Sequence, residues 1–417
     1  MTNLRDKHGR HRVVVTGMGA HTPAGTTLAS MWSRLISGAS CAARIERYDP
    51  SALTVQIGCE VRDFDSSPYL NPKEARRLDR VAQLGFAAAA DALAHAGTLN
   101  ADPAMCAVVA GVGIGGLITL EEQIENLITR GPRTVSPMTV PMMMPNATSA
   151  LVSMQFGWTG PNTTVATACA AGTNAIGDAA QMIRYGESTV VLALGAESCM
   201  TPVSISAFGR MTALSNRNDE PSIASRPFDA ARDGFVMGEG AGALVLESLE
   251  HALARGATVH AELVGYGRNS DAHHITAPSP GGIGAAACMQ LALNDASLQT
   301  SDIVHINAHG TSTPLNDSAE AEAISKTFAG AQPVVTSTKG VTGHMIGAAG
   351  AVEAIAAILA MGEMLVPPTA NLDNLDPAIN LLIARGTAMS IERGAVMSNS
   401  FGFGGHNASL IFAPVET

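Results

Sequence analysis

Three separated segments of the 417-residue chain each set one reactive side chain among glycines and other small residues. They are Cys169 in TVATACAAGTNAIGDAA, His309 in VHINAHGTSTPLND and His344 in TSTKGVTGHMIGAAGAVE. A cysteine on its own is most often an inert buried hydrophobe, and a single histidine is most often a satisfied structural residue. A thiol and two imidazoles in like settings point to more: a nucleophile that takes a covalent adduct, and two N–H donors for a developing oxyanion.

The flanking residues say which elements must position them. An apolar, β-branched run from Thr163 to Thr167 reads as a strand, and Ala175, Ile176, Ala179, Ala180 and Ile183 recur at helical spacing after it. Cys169 therefore falls on a strand-to-helix turn, where free amides and the positive end of the helix dipole favour the thiolate. Its neighbours Ala168, Ala170, Ala171 and Gly172 leave room for a carbonyl to approach. From these residues alone a catalytic thiol and a buried structural thiol stand as alternatives. Val304 to Ala308 reads as a buried strand ending at His309, with Gly310 and the pair Thr311 and Thr313 in the next loop. PVVTSTKGVTGHMIGAAG repeats the pattern: a strand, then Lys339, then His344 where a glycine-spaced helix begins. Two imidazoles at strand ends either serve one oxyanion or cap the elements.

Further stretches complete a pattern that runs nearly end to end. HRVVVTGMGAHTPAG lies near the start, GIGGL at Gly113–Leu117, NRNDEPSIASRPFDAARDGFVMGEGAGALVLE in the middle and NSFGFGGHNASL near the finish. With them the sequence resembles the type II β-ketoacyl-acyl carrier protein synthases, within the thiolase-like condensing enzymes. The resemblance implies an α/β, thiolase-like fold of five layers, αβαβα, in two duplicated halves. The division is expected near residue 258, giving a first half, 1–258, with the cysteine and a second, 259–417, with the two histidines. No Pro/Ser-rich linker marks it, so the halves should share a continuous interface.

The resemblance also implies roles, residue by residue. Cys169 matches the nucleophile that accepts the acyl chain as a thioester. His309 and His344 match the pair that assists malonyl decarboxylation and stabilises the enolate. Lys339 matches a lysine near the second histidine, with Glu353 as its ionic partner; a structural salt bridge and direct chemistry both stay open for this pair. Phe403 matches a gating phenylalanine whose amide joins that of Cys169 in an oxyanion hole. Thr311 and Thr313 match the pair that binds a pantetheine arm, and Ile114 matches a residue packed against the gate. Phe401, Gly402 and Glu353 are counted with the substrate-binding positions. Two histidines imply a decarboxylating elongation enzyme rather than an initiation-type synthase or a degradative thiolase.

An acyl carrier protein is the implied partner. The chain's net charge of −11 opposes an acidic partner, so docking needs a local basic patch. Asn71 and Pro72 read as helix cap and first residue, after which Lys73, Arg76, Arg77 and Arg80 fall at i, i+3, i+4 and i+7 on one predicted helix face. The alternative is a solvated charged face; Arg133 in GPRTVSP is added to the docking set. Thr134 to Gly177 contains no charged side chain, yet its prolines and glycines exclude a membrane span. Burial in a homodimer is expected there, with the Met142–Met144 run as pocket lining or ordinary core filling.

Other classes are set aside. Gly111 to Gly116 satisfies G-x-G-x-x-G, but no acidic residue follows at the distance a ribose partner needs. A chain-length factor, which shapes a partner's pocket without catalysing, would lack the cysteine; pairing with such a factor in a heterodimer stays open. Six cysteines scattered without a CxxC spacing indicate neither disulfides nor a metal site, and His273–His274 are given no function. No cofactor, nucleic acid or membrane is expected, and the polar start MTNLRDKHGRH, which does not resemble a signal peptide, makes the cytoplasm the expected compartment. Thr134, Thr139, Thr212 and His406 depart from the usual fatty-acid-type pattern. They raise the alternative of a ketosynthase subunit of a type II polyketide synthase.

Overall fold

The computed structural model describes residues 3–415. Ten strands form one sheet: β1 (Val13–His21), β2 (Cys106–Gly111), β3 (Asn162–Val165), β4 (Val190–Glu197), β5 (Gly240–Ser248), β6 (Ala261–Ser270), β7 (Ile303–Asn307), β8 (Val334–Thr336), β9 (Ala395–Gly402) and β10 (His406–Ala413). Their order is β8-β7-β9-β10-β6-β1-β5-β4-β2-β3. Each set of five runs third, second, fourth, fifth, first, with the same alternation of parallel and antiparallel neighbours. Among the described residues the two sets pair through Val14–Val15 against Ala261–Glu262.

Helices complete the layers. α1 (Arg80–Ala96) and α2 (Ala147–Phe156) cover the outer face of one half-sheet, α3 (Ala171–Arg184) lies between the halves, and α4 (Ile283–Ala296) and α5 (Pro314–Thr327) cover the other outer face. α6 (Ala349–Glu363) joins α3 in the central layer and touches strands of both halves. The architecture is thus α/β with five layers, αβαβα, as the resemblance implied.

A helix packed between the two halves of the sheet has no polar face to spare. AGAVEAIAAILAMGE meets this demand with small and aliphatic residues, and Ile346–Glu363, although long and apolar enough to cross a membrane by composition, is mostly buried in the protein. Close approach of α6 to α3 depends on Gly350: a Cβ there would lie 2.0 Å from Thr173 Oγ1 and 2.6 Å from the Thr173 amide nitrogen.

The uncharged stretch behaves differently from a core. β3 is the last strand of the sheet and leaves its free edge to solvent, and Val140 and Met154 are well exposed, 61% and 73%. The chain by itself leaves much of residues 134–168 accessible, whereas residues 169–177 are buried.

Gly350→Ala is expected to overpack the α3–α6 crossing and lower unfolding free energy by about 1–3 kcal/mol. A denaturant midpoint equal to wild type would show that the two helices can part without cost.

Candidate active site

The strand-to-helix turn is present at Cys169. β3 ends at Val165, a single 3-10 turn spans Ala168–Ala170, and α3 begins at Ala171. Ala168 takes a left-handed φ of +49°, which turns the chain sharply before the helix. Cys169 is buried. Its amide packs against Gly402, where a Cβ would stand 3.1 Å from the Cys169 nitrogen.

His309 follows the end of β7, and His344 lies between the short helix Lys339–Thr342 and α6. The Cys169 sulfur and a ring nitrogen of each histidine lie within 4.8 Å of one another, and all three residues are buried. The two imidazoles meet edge to face at 5.2 Å. His309 also faces Phe401 and His344 faces Phe235. Thus the structure brings together the three side chains that the sequence separates by 140 and 35 positions.

Lys339 stands behind this group. Its ammonium lies 3.4 Å from His309 Nδ1 and pairs with the carboxylate of Glu353 on α6, with all three residues almost fully buried. Donation to Nδ1 leaves the His309 proton on Nε2. Burial first, then the Lys339 charge, hold both imidazoles well below their ordinary pKa, so both are neutral at pH 7. Neither His344 ring nitrogen has a hydrogen-bond partner among the described residues. Burial pushes the Glu353 carboxyl up, and the neighbouring ammonium opposes it.

The thiol differs from the expectation drawn from the helix terminus. Burial pushes Cys169 up to about 11, outweighing the Phe403 amide and the Lys339 charge, which both favour the thiolate. Desolvation of the anion outweighs the amides and the lysine charge that favour it.

A cavity of about 610 Å³ opens onto Cys169, His309 and His344, a size that suits a small-molecule or acyl ligand. Ile114, Thr311, Thr313, Phe401, Gly402 and Phe403 also line it. The two threonine hydroxyls are 2.9 Å apart, and the Phe403 ring packs near Phe208. Lys339 and Glu353 do not line the cavity, so Glu353 corrects the expectation of a substrate-binding residue: it is enclosed in α6 and spent on the ammonium.

The basic segment is a second correction. Pro72–Ala75 forms a single helical turn that closes at Arg76, and α1 starts only at Arg80 under an Asp79 cap. Lys73, Arg76 and Arg77 are exposed, but not on one helix with Arg80. Arg80 turns inward to Glu239 through Nε at 3.0 Å and Nη2 at 2.9 Å. Arg133 is exposed on a separate turn, Pro132–Thr134. His274 accepts from the Thr276 and Ala277 amides, a turn-capping arrangement.

Several carboxylates escaped sequence reasoning. Glu320 accepts from the His309 and Gly310 amides, both at 2.7 Å, and Asp317 accepts from Phe228 and Ser312. Both stand on the inner face of α5, spaced i, i+3, which is the one signal that could have marked them. Glu197 accepts from the amides of Gly113, Ile114 and Gly347. The glycine motif therefore cradles a protein carboxylate. Burial lifts Glu197 to about 7 and Glu320 to about 8 against these amides.

Comparison with known proteins gives a consistent picture. A family model described as the beta-ketoacyl synthase N-terminal domain matches residues 10–252, and one for the C-terminal domain matches residues 260–373. The chain is 46% identical to a 3-oxoacyl-[acyl-carrier-protein] synthase 2 of Synechocystis sp., over 99% of each chain. It resembles a crystal structure of a beta-ketoacyl synthase from Burkholderia phymatum STM815 with a TM-score of 0.91 at 39% identity, covering 97% of this chain and 100% of that one. The ishigamide ketosynthase/chain length factor is similar with a TM-score of 0.91 at 35% identity, covering 98% of this chain and 100% of that one.

Since burial holds Cys169 as a thiol, its alkylation by iodoacetamide is expected to accelerate steadily from pH 6 to pH 10, tracking a thiolate pKa of about 11. Peptide mapping by mass spectrometry reads the site. A rate that levels off near pH 7 would mean that the thiolate is already stabilised in the resting enzyme.

Proposed function

The chain belongs to the β-ketoacyl synthase family, and from that premise we propose how its residues divide the reaction. It is a condensing acyltransferase: an enzyme-bound acyl thioester reacts with malonyl-acyl carrier protein, carbon dioxide leaves, and the chain grows by two carbons in fatty-acid biosynthesis. The observation that carries the assignment of roles is the meeting of one thiol and two neutral imidazoles within 4.8 Å at the cavity wall.

In our reading Cys169 attacks the acyl thioester, its proton passes to a neighbouring imidazole and from there to the departing carrier sulfur, which leaves as a thiol, so that the imidazole is neutral again. The oxyanion of that step accepts from the Cys169 and Phe403 amides. The malonyl thioester then enters with its arm along Thr311 and Thr313. As carbon dioxide leaves, the enolate oxygen accepts N–H bonds from His309 and His344, and the enolate carbon attacks the acyl-Cys169 carbonyl. Collapse of the second tetrahedral adduct frees Cys169 and the β-ketoacyl carrier. Splitting the condensation through a covalent intermediate makes the kinetics ping-pong. Lys339 holds the His309 tautomer, and Glu353 balances its charge. Ile114, Phe401 and Gly402 shape the mouth and wall of the cavity.

The exposed cations Lys73, Arg76, Arg77 and Arg133 support docking of an acidic carrier protein against the general field. The uncharged, exposed region around β3 supports a homodimer in which the free edges of β3 are covered. A second reading, a polyketide ketosynthase paired with a chain-length factor, is favoured by the departures at Thr134, Thr139, Thr212 and His406. The division of the chain near residue 258 belongs to the same proposal.

The test is intact-protein mass spectrometry after incubation with acyl-carrier proteins of graded length, followed by malonyl-carrier protein and product analysis. Adducts on Cys169, absent in Cys169→Ser and chased into β-ketoacyl products, support the assignment. Adducts formed only beside a cysteine-lacking homologue transfer it to the polyketide reading. Cys169→Ala is expected to abolish acyl transfer while malonyl decarboxylation persists, whereas His344→Ala damages decarboxylation more. The reverse pattern in the two half-reactions would exchange the roles.

A further inference from the structure

The His344 ring has no hydrogen bond of its own among the described residues. Its position therefore rests on packing against His309 and Phe235 and on its backbone. One segment holds that backbone on both sides: the His344 amide donates to Val236 O at 2.7 Å, and the Gly238 amide donates to His344 O at 2.9 Å. Where this segment ends, Glu239 begins.

Glu239 is fully buried and gathers four other parts of the chain. Arg80 donates to both its oxygens at 3.0 and 2.9 Å, the Val61 amide at 3.0 Å and the Ser198 hydroxyl at 2.6 Å, while Arg47 Nη2 approaches to 2.5 Å. Ser198 directly follows Glu197, which accepts from the Gly347 amide just beyond His344. The turn that presents His344 is thus tied in front to one buried carboxylate and behind to another, and adjacent residues of one chain segment join the two.

We propose that Glu239, clamped by Arg47 and Arg80, is a positioning residue that sets the His344 ring for decarboxylation, and that Arg80 belongs to this anchor and not to the docking surface. The proposal rests on the reading of His344 given above. A fork of two guanidinium N–H groups on a carboxylate fixes direction as well as distance, so a change there moves the 236–238 segment and the turn it holds. Acyl transfer to Cys169 uses amides on other segments and should feel this far less.

The experiment separates the half-reactions in Glu239→Gln and Arg80→Lys. Carbon dioxide release from malonyl-carrier protein is expected to slow by about 10- to 100-fold in Glu239→Gln, with acylation of Cys169 changed by less than about 3-fold, as for a misplaced group outside the first step. Arg80→Lys, which keeps the charge but not the fork, should fall between, with the KM for carrier protein unchanged. A triple variant, Lys73→Ala, Arg76→Ala and Arg77→Ala, should instead raise that KM and leave kcat alone. Independently of turnover, NMR of ¹⁵N-histidine-labelled protein should show the His344 resonances displaced in Glu239→Gln while those of His305 stay in place. Equal loss in both half-reactions with unmoved His344 resonances would reduce Glu239 to a merely structural ion pair. A raised carrier KM at constant kcat in Arg80→Lys would return Arg80 to the docking surface. A wild-type enzyme without either half-reaction would overturn the functional reading, and the His344 resonances would still decide the anchor. Should Glu239→Gln fail to fold, Arg80→Lys decides on the same readouts.

Discussion

One buried ammonium organises the centre of this protein. Lys339 is 1% exposed, in surroundings where an unpaired charge is among the costliest things a chain can bury. It is tolerable because Glu353 meets it from α6 and His309 accepts from it. The same charge has consequences beyond its own stability. It adds to burial in keeping His309 and His344 unprotonated, and it fixes which nitrogen of His309 carries the proton. Replacing one partner would strand the other, so the pair is better understood as a device for electrostatics than as a source of stability.

Around this pair, carboxylates meet backbone amides at the turns. Glu320 holds the amides of His309 and Gly310, Asp317 that of Ser312, and Glu197 those of Gly113, Ile114 and Gly347. The loop of His309 and the turn that follows His344 carry amides that would otherwise be buried without partners. A carboxylate can accept several amides at once and so fixes a loop more tightly than a single side-chain hydroxyl could. The site is then rigid at its backbone while its reactive atoms stay free to meet substrate, which is the condition for preorganised stabilisation of charge.

Much of this was legible in the sequence, and the failures have physical causes. Strand periodicity and small residues around Cys169 and His309 located their elements to within about two residues, whereas the helix expected to begin at His344 starts only at Ala349, after a 3-10 turn over Ile346–Ala348. The apolar α6 could be recognised, since a helix packed between the two halves of the sheet tolerates little else. The basic run at Lys73 to Arg80 misled because spacing alone implies a continuous helix, whereas Asp79 caps a new one and accepts from the Val81 amide. Arg80 was assigned to the surface because nothing in its own neighbourhood reveals a carboxylate 159 positions away. Gly111–Gly116 fitted a phosphate-binding pattern for a sound reason: its amides do form an anion cradle. The anion is the protein's own Glu197, a long-range partner that no local pattern names.

In the mechanism proposed above, the placement of charge also bears on how the carbanion survives long enough to react. An ammonium facing the cavity would be a ready proton donor and would quench it. Lys339 does not line the cavity; His309 stands between, neutral, with only a weakly acidic N–H to offer. The enolate oxygen can therefore take two hydrogen bonds while its carbon meets no strong acid. Cys169 follows the same logic. A thiol held up to about 11 by burial is a poor resting nucleophile, yet in the proposed acyl-enzyme it would present a neutral thioester for which the carbanion competes with water. The cost of a sluggish thiolate in the first step is matched by protection of both reactive species in the second.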